Sequence, residues 1–78
     1  MPRYFFNVYD DIVAIDPEGV ELPSVEAARL NAVHGARELI ADQVRHGYIM
    51  LSHWIDVVDD KGEAVLTVAF RDAIEVRE

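Results

Sequence analysis

The chain has 78 residues, 51% of them hydrophobic, and a net charge of −8 from 15 acidic and 7 basic side chains. This length and composition predict one small globular domain covering residues 1–78. There is no cysteine, which excludes disulfides, thiolate catalysis and cysteine-ligated metal sites. Because no basic stripe occurs, we expect no direct contact with nucleic acid. No apolar run reaches the ~20 residues needed to cross a membrane.

The first half of the chain predicts short strands. Residues 3–9 alternate as a strand, and the start MPRYFFNVYD lacks the pattern of a secretory signal, so we expect a cytoplasmic location. Aromatic side chains fall on both faces, which predicts a central strand or one that a partner covers. Residues 12–15 predict a second strand in a hairpin, and DPEG at 16–19 predicts a type I turn. Residues 20–22 can add a further short strand.

The longest periodic segment, SVEAARLNAVHGARELIADQVRHG at residues 24–47, predicts the one long helix. Ser24 is typical of an N-cap, and Gly47 is typical of the left-handed residue that ends a helix. Small side chains dominate one face, so this face can lie close to a sheet; its residues are Val25, Ala28, Ala32, Ala36 and Leu39. Gly35 lies beside that face. Because glycine costs ~1 kcal/mol in a helix, we expect another element to approach closely there.

A second apolar stripe runs beside the first on the same helix. It consists of Leu30, Val33, Ile40 and Val44. Together the two stripes can form one broad face toward the core. Alternatively, the second stripe binds a partner or a second copy, because one small sheet can leave part of the helix uncovered.

The second half of the chain predicts another hairpin. Residues 48–51 are apolar but too short to assign as a strand or a packed connection. Residues 54–59 and 63–70 alternate as two strands around the turn DDKG, in which Gly62 takes the left-handed position. The tail at 71–78 predicts either a frayed edge or a short helical turn.

The fold class that follows is α+β with two layers. A β-β-α-β-β antiparallel sheet carries one long helix packed on one face. The other face of such a sheet is open. We expect Phe5, Tyr9, Trp54 and Val65 to be exposed there or to pack against a second copy.

Residues with reactive side chains do not form a known catalytic or metal-binding pattern. The histidines, His34, His46 and His53, lack the spacing of a metal site. Acidic residues could converge if both hairpins ended at the same edge, although aspartate is also typical of turns; these are Asp10, Asp11, Asp16, Asp59 and Asp60. No serine–histidine–acid set and no phosphate-binding loop occurs. We therefore expect no enzymatic activity, no metal and no cofactor.

Three segments of the chain resemble a family of short bacterial proteins classified as a domain of unknown function. They are PRYFFNVYDD at the start, DPEGVELPSVEAARLNAVHGARELIAD across the turn and helix, and WIDVVDDKGEAVLTVAF near the end. This resemblance covers about the full chain and implies no activity. The first half is also similar to HicB-type antitoxins, on the strand pair and VEAARLNA. It lacks their separate DNA-binding segment.

Three functions remain open at this point. The first is protein–protein contact, with homodimerisation through the open sheet face or the second helix stripe. The second is an acidic, HicB-like antitoxin or regulator that binds a basic protein partner. The third, a small-molecule pocket between helix and sheet, is disfavoured because so short a chain has little volume for a cavity.

Overall fold

The structure, a computed structural model, describes residues 1–78. It contains five strands and two helices. In chain order these are β1 (Arg3–Tyr9), β2 (Val13–Ala14), β3 (Val20–Glu21), α1 (Val25–Arg45), β4 (Trp54–Val58), β5 (Ala64–Ala69) and α2 (Phe70–Ala73). No helix is both long enough and apolar enough to span a membrane.

All strand pairs in the sheet are antiparallel, in the order β2-β1-β4-β5, and β3 pairs with the opposite end of β1 from β2. The predicted α+β architecture is confirmed, as is the central position of β1. The two hairpins join through β1 and β4, with Phe6 opposite Val57 and Val8 opposite Ile55. This junction between residues some fifty positions apart in sequence creates the core.

Helix α1 lies on one face of this sheet, over β4 and β5, and also contacts α2. Ala28, Ala32 and Ala36 are almost completely buried, as the small-residue stripe predicts. The core that they meet is built from larger side chains, chiefly Ile55, Val57, Val68 and Phe70. Val25 is the exception in the stripe because it is 45% exposed and lies outside the core.

Both predicted ends of α1 are confirmed. The Ser24 hydroxyl accepts a hydrogen bond from the Ala27 N–H at 3.1 Å, which satisfies one free donor of the first turn. Gly47 follows the C-cap residue His46 and has a φ of +89°, the conformation that glycine adopts most easily. These local contacts fix where the helix begins and ends.

Several connections differ from the sequence-based predictions. The second strand covers Val13–Ala14 only, and residues 48–51 form an irregular connection, in which the Met50 N–H donates to Gln43 Oε1 at 2.9 Å. Residues 20–21 do form a strand, and the start of the tail forms a helical turn. The second hairpin turns at Gly62, which has a φ of +83° as predicted.

The segment at 16–19 is held by the side chain of Asp16 rather than by the backbone bond of a type I turn. One carboxylate oxygen accepts from the N–H groups of Glu18 and Gly19 at 3.1 and 3.0 Å, and the other accepts from the Phe6 N–H at 3.2 Å. Partial burial raises the pKa of Asp16, but these three hydrogen bonds outweigh it and leave the pKa below its usual value. Asp16 therefore ties the loop to the middle of β1.

Gly35 has no close neighbour that would require glycine. A Cβ at this position would meet the Ile55 Cδ1 at 3.7 Å, an ordinary van der Waals contact. The prediction of a close approach at Gly35 is therefore wrong, because α1 passes Ile55 with room for a methyl group. Gly19 is the opposite case: its φ is +72°, and a Cβ there would lie 2.9 Å from Arg3 and Phe5 side-chain atoms.

Alanine substitutions at Gly35 and Gly19 should change the free energy of unfolding in opposite directions. Gly35→Ala should raise the free energy of unfolding by about 0.5–1 kcal/mol, because alanine is the better helix former and the space exists. Gly19→Ala should lower it by at least about 1 kcal/mol, because the left-handed conformation is strained for alanine. Urea unfolding of both variants measures the two changes, and a loss of stability in Gly35→Ala would contradict this packing.

Asp16 should make stability depend on pH in the acid range. Its pKa is lower in the folded than in the unfolded chain, where it is about 3.9. Its contribution is therefore complete above that value and is lost as the pH falls through the folded pKa. We expect Asp16→Asn to be less stable than the native chain at about pH 7 and the difference to shrink toward about pH 2. Chemical unfolding of both chains across this pH range measures the difference in their free energies of unfolding. A difference that does not change with pH would contradict the role of Asp16.

Candidate functional site

The face of the sheet opposite α1 is not covered by any helix. On this face, residues of neighbouring strands align in three rows across the sheet. The aromatic row consists of Val13, Tyr9, Trp54 and Ala69, the polar row of Asn7, Asp56 and Thr67, and the third row of Phe5, Val58 and Ala64. The open face therefore combines an apolar end with a polar centre.

The aromatic row holds the largest exposed side chains of this face. The rings of Tyr9 and Trp54 stack with their centroids 5.2 Å apart and their planes 9° apart. Trp54 is 40% exposed and Val13 is 54% exposed. The stack fixes both rings as a flat apolar surface, since aromatic pairs of this geometry attract beyond their buried area. No residue of the row is charged.

The polar row crosses β1, β4 and β5 in the middle of the open face. Thr67 donates its hydroxyl hydrogen to the Asp56 carboxylate at 2.7 Å, and the Asn7 side-chain oxygen Oδ1 accepts from the Asp16 N–H at 3.0 Å. Asp56 forms no ion pair with a cation of its own chain. Sequence alternation placed Asp56 on this face but could not show which residues stand beside it, because that depends on strand order.

The third row is partly covered by the chain itself. Phe5 is half-buried, and its ring lies against Gly19. Arg3 extends over the same loop, where its guanidinium donates to the Glu18 carbonyl and the Glu21 carboxylate, both at 2.9 Å. Of the three predicted aromatic residues, Tyr9 and Trp54 therefore form one surface, whereas Phe5 packs under the 16–19 loop.

The second helix stripe does not form one surface. Ile40 is only 5% exposed and belongs to the core with Phe70, so it is not available to a partner. Val33 packs against the same core, whereas Leu30 and Val44 remain 47% and 58% exposed. Ile40 and Val33 therefore agree with the first interpretation, a broad face toward the core, and the buried Ile40 interrupts any interface along the stripe.

Arg37 joins α2 to α1. Its guanidinium donates to the Ala73 carbonyl at 2.6 Å, which places the short helix beside the second stripe. The sequence could not reveal this contact, because the pattern after residue 70 was compatible with either a frayed edge or a short helical turn.

A groove of about 430 Å³ lies between α1 and β1. It exists because α1 lies over β4 and β5, which leaves Phe6 and Val8 half-buried. Its volume falls in the range of small-molecule sites, so the volume argument against a pocket is wrong. Its polar lining consists only of Asn31 and Glu38, two turns apart on α1, and these do not converge on one point.

A second depression surrounds the end of α1. It has a volume of about 370 Å³ and is lined by Val44, Gly47, Tyr48 and Ile49. Three of these residues are exposed apolar side chains. Tyr48 supplies the only polar side-chain group of this depression, its hydroxyl, so no set of polar side chains converges there.

His53 is the one buried histidine. It lies against Phe70 in an edge-on arrangement, with ring centroids 5.6 Å apart. Its Nδ1 lies 3.5 Å from the Gln43 amide nitrogen, and its Nε2 lies 3.7 Å from the Asp11 carboxylate. The first contact joins His53 to α1; the second is longer than a hydrogen bond and places the ring beside the β1–β2 turn. No serine lies in this set, so it has no nucleophile to activate.

The acidic turns do not converge. Asp10 and Asp11 follow the end of β1, whereas Asp59 and Asp60 follow the end of β4, which runs in the opposite direction beside β1. The two turns therefore lie at opposite ends of the sheet, contrary to the arrangement considered from sequence. Nowhere in the structure do three or more metal-ligating side chains come together.

Comparison with known proteins gives a family but no activity. No curated protein and no solved structure matches the chain, and nothing found supports the resemblance to HicB-type antitoxins. The sequence pattern of one family matches residues 3–71, which include every strand and the whole of α1. The chain therefore belongs to the family described as a domain of unknown function, DUF6894.

Proposed function

We propose that this domain acts by protein–protein contact, without catalysis, and that it self-associates through the aromatic row of the open sheet face. The observation that carries the proposal is the Tyr9–Trp54 stack, in which Trp54 is exposed and Tyr9 is half-buried, on a sheet that a single helix covers on one side. Small domains rarely leave such a surface in water. Tryptophan and tyrosine are the residues that most often dominate the binding energy of an interface.

Charge determines where on the open face two copies can meet. A chain with a net charge of −8 repels its own copy, and a contact centred on Asp56 would bring two carboxylates together. The aromatic row avoids this repulsion because all four of its residues are uncharged. Contact between copies is therefore centred on Trp54 rather than on the middle of the face.

Size also favours self-association. A chain of 78 residues buries a smaller fraction of its surface on folding than a larger domain does, and only 12 of these residues are buried in the single domain. A second copy would bury the apolar area that the single domain leaves in water. That area adds ~25 cal/mol per Å² to the stability of the assembly, less the cost of bringing two copies together.

Trp54→Ala should weaken self-association. We expect the dissociation constant between copies to rise at least 30-fold, corresponding to the ~2 kcal/mol of an interface residue that dominates binding. Light scattering behind size exclusion, over a range of concentrations, measures this change, and far-UV circular dichroism checks that the variant folds.

Leu30→Ala is the matched control for this experiment. Leu30 is 47% exposed but lies on the helix layer, so its removal should leave the mass unchanged. Self-association that survives Trp54→Ala and is lost in Leu30→Ala would transfer the interface to the helix. A native chain that stays monomeric at every concentration would overturn the proposal.

A second candidate function, regulation of a basic protein partner, is favoured by Asp56. This carboxylate has no cationic partner in the chain, and it lies one row from the Tyr9–Trp54 stack. A carboxylate beside an aromatic face is a suitable site for an arginine, because the guanidinium can hydrogen-bond to the carboxylate and stack on the aromatic ring.

An arginine-rich peptide of about ten residues is a direct probe of this second function. NMR titration should shift the signals of Asp56 and Trp54, and Asp56→Asn should weaken binding about tenfold because the charge-assisted hydrogen bond is lost. Thr67→Val, which leaves the carboxylate intact, serves as the control. Equal affinity of Asp56→Asn and the native chain would contradict a specific arginine site.

A further inference from the structure

The two edges of the sheet are protected to different degrees. At the outer edge of β1, the short strands β2 and β3 pair with its two ends, and the Asp16 carboxylate accepts the Phe6 N–H between them. These contacts leave little backbone for another strand. At the opposite edge, β5 has β4 as its only neighbour in the sheet.

The free edge of β5 has unpaired backbone groups. The Phe70 N–H donates to the His53 carbonyl at 2.9 Å, so residue 70 faces β4. Because backbone groups alternate along an antiparallel strand, Thr67 and Ala69 direct their N–H and C=O groups away from β4. Outside the helices and strands, no backbone hydrogen bond reaches Thr67. Ala69 is the N-cap of α2, so its C=O belongs to the first turn of that helix and only its N–H remains for the edge.

The composition of β5 offers little protection against further pairing. Its six residues, AVLTVA, include no charge and no proline, the features that natural proteins use to keep edge strands from pairing. A bulge lies at one end only, where Val57 and Val58 shift register against β5. An uncharged edge strand of this length is therefore a template for another strand.

We propose that β5 pairs antiparallel with β5 of a second copy, so that two sheets become one. The occupant is a second copy because the same strand is complementary to itself in this orientation, with Thr67 opposite Thr67. In that register Leu66 lies beside Val68 of the other copy on the α1 side of the sheet. Leu66 is half-buried at the rim of the core, and this neighbour covers it.

Charge also selects this edge for a second copy. The chain carries a net charge of −8, so like-charge repulsion opposes most contacts between copies. No residue of β5 itself carries a carboxylate; Glu63 and Asp72 lie beyond its two ends, and Asp56 on β4 accepts the Thr67 hydroxyl at 2.7 Å. The edge is a stretch of surface where two copies approach without placing acids opposite each other.

This contact is distinct from the aromatic row. Pairing at the edge uses backbone groups of β5, whereas the aromatic row uses side chains on the open face. The two contacts can form together, in which case two joined sheets pack face to face and the assembly contains four copies. The edge contact is argued from the free backbone groups of β5 and does not depend on the contact through the aromatic row.

Thr67→Pro tests the edge contact. Proline removes the outward N–H of residue 67 without removing a hydrogen bond to β4. Thr67→Val is the matched control, because it loses the hydroxyl bond to Asp56 but retains the N–H. Val65→Lys is a second variant that places a charge on the same edge if the proline disturbs folding. Light scattering gives the mass of each variant, and hydrogen exchange followed by NMR gives the protection of the Thr67 and Ala69 amides.

The expected result is an assembly of four copies in the native chain and in Thr67→Val. Thr67→Pro, Val65→Lys and Trp54→Ala should each reduce it to two copies, and Thr67→Pro combined with Trp54→Ala should give the monomer. In the native assembly the Thr67 and Ala69 amides should exchange at least tenfold more slowly than in the native chain diluted to the monomer.

The outcomes separate the two contacts. A native dimer that Thr67→Pro and Val65→Lys leave intact, with fast exchange at Thr67 and Ala69, overturns the edge contact and leaves the aromatic row standing. A native dimer that Thr67→Pro dissociates and Trp54→Ala does not supports the edge contact and overturns the aromatic row. A native monomer at every concentration overturns both.

Discussion

The contact between α1 and the sheet is the interaction on which the rest of this structure depends. Ala28, Ala32 and Ala36 are almost completely buried against a sheet layer of larger residues. Because these side chains are small, the helix can pack closely without a thick core, which a chain of 78 residues could not supply. One helix covers only part of one face of the sheet, which leaves the opposite face, the strip beside β1 and the β5 edge uncovered.

Three surfaces of the sheet remain uncovered because α1 packs on only part of it. The face opposite α1 displays the Tyr9–Trp54 stack, the side of α1 next to β1 leaves the groove at Phe6 and Val8, and β5 ends the sheet with an uncharged edge. The groove lacks convergent polar groups, so specific recognition of a small molecule has little support there. The open face and the edge instead present the flat aromatic surface and the free backbone groups that protein contacts use.

Much of the fold could be predicted from the sequence, because its signals are local. Ser24 and Gly47 defined the ends of the helix, alternation defined β1, β4 and β5, and Gly62 marked the second hairpin. Strand order could not be predicted, since the pairing of β1 with β4 joins segments some fifty residues apart and leaves no local pattern. The DPEG pattern indicated a turn at 16–19, but not that the Asp16 side chain, rather than its carbonyl, accepts the Gly19 N–H.

The candidate site was predictable only in part, for the same reason. Alternation along β1 and β4 placed Tyr9 and Trp54 on the open face, but their stacking requires the register between the strands. Ile40 could be assigned either to the core or to a partner surface, because the helical pattern alone does not show how far the core extends around α1. Gly35 was read as a point of close approach, although the distance from its position to Ile55 could only come from the structure.

The central claim is that a second copy occupies surfaces that the single helix leaves uncovered. The most direct measurement is the mass of the native chain in solution over about a thousandfold range of concentration, with the fluorescence of Trp54, the only tryptophan, recorded on the same samples. The account predicts that the mass rises above that of one 8.8 kDa chain as concentration increases, and that the emission shifts to shorter wavelength as Trp54 leaves water. A constant monomer mass with unchanged emission would contradict it.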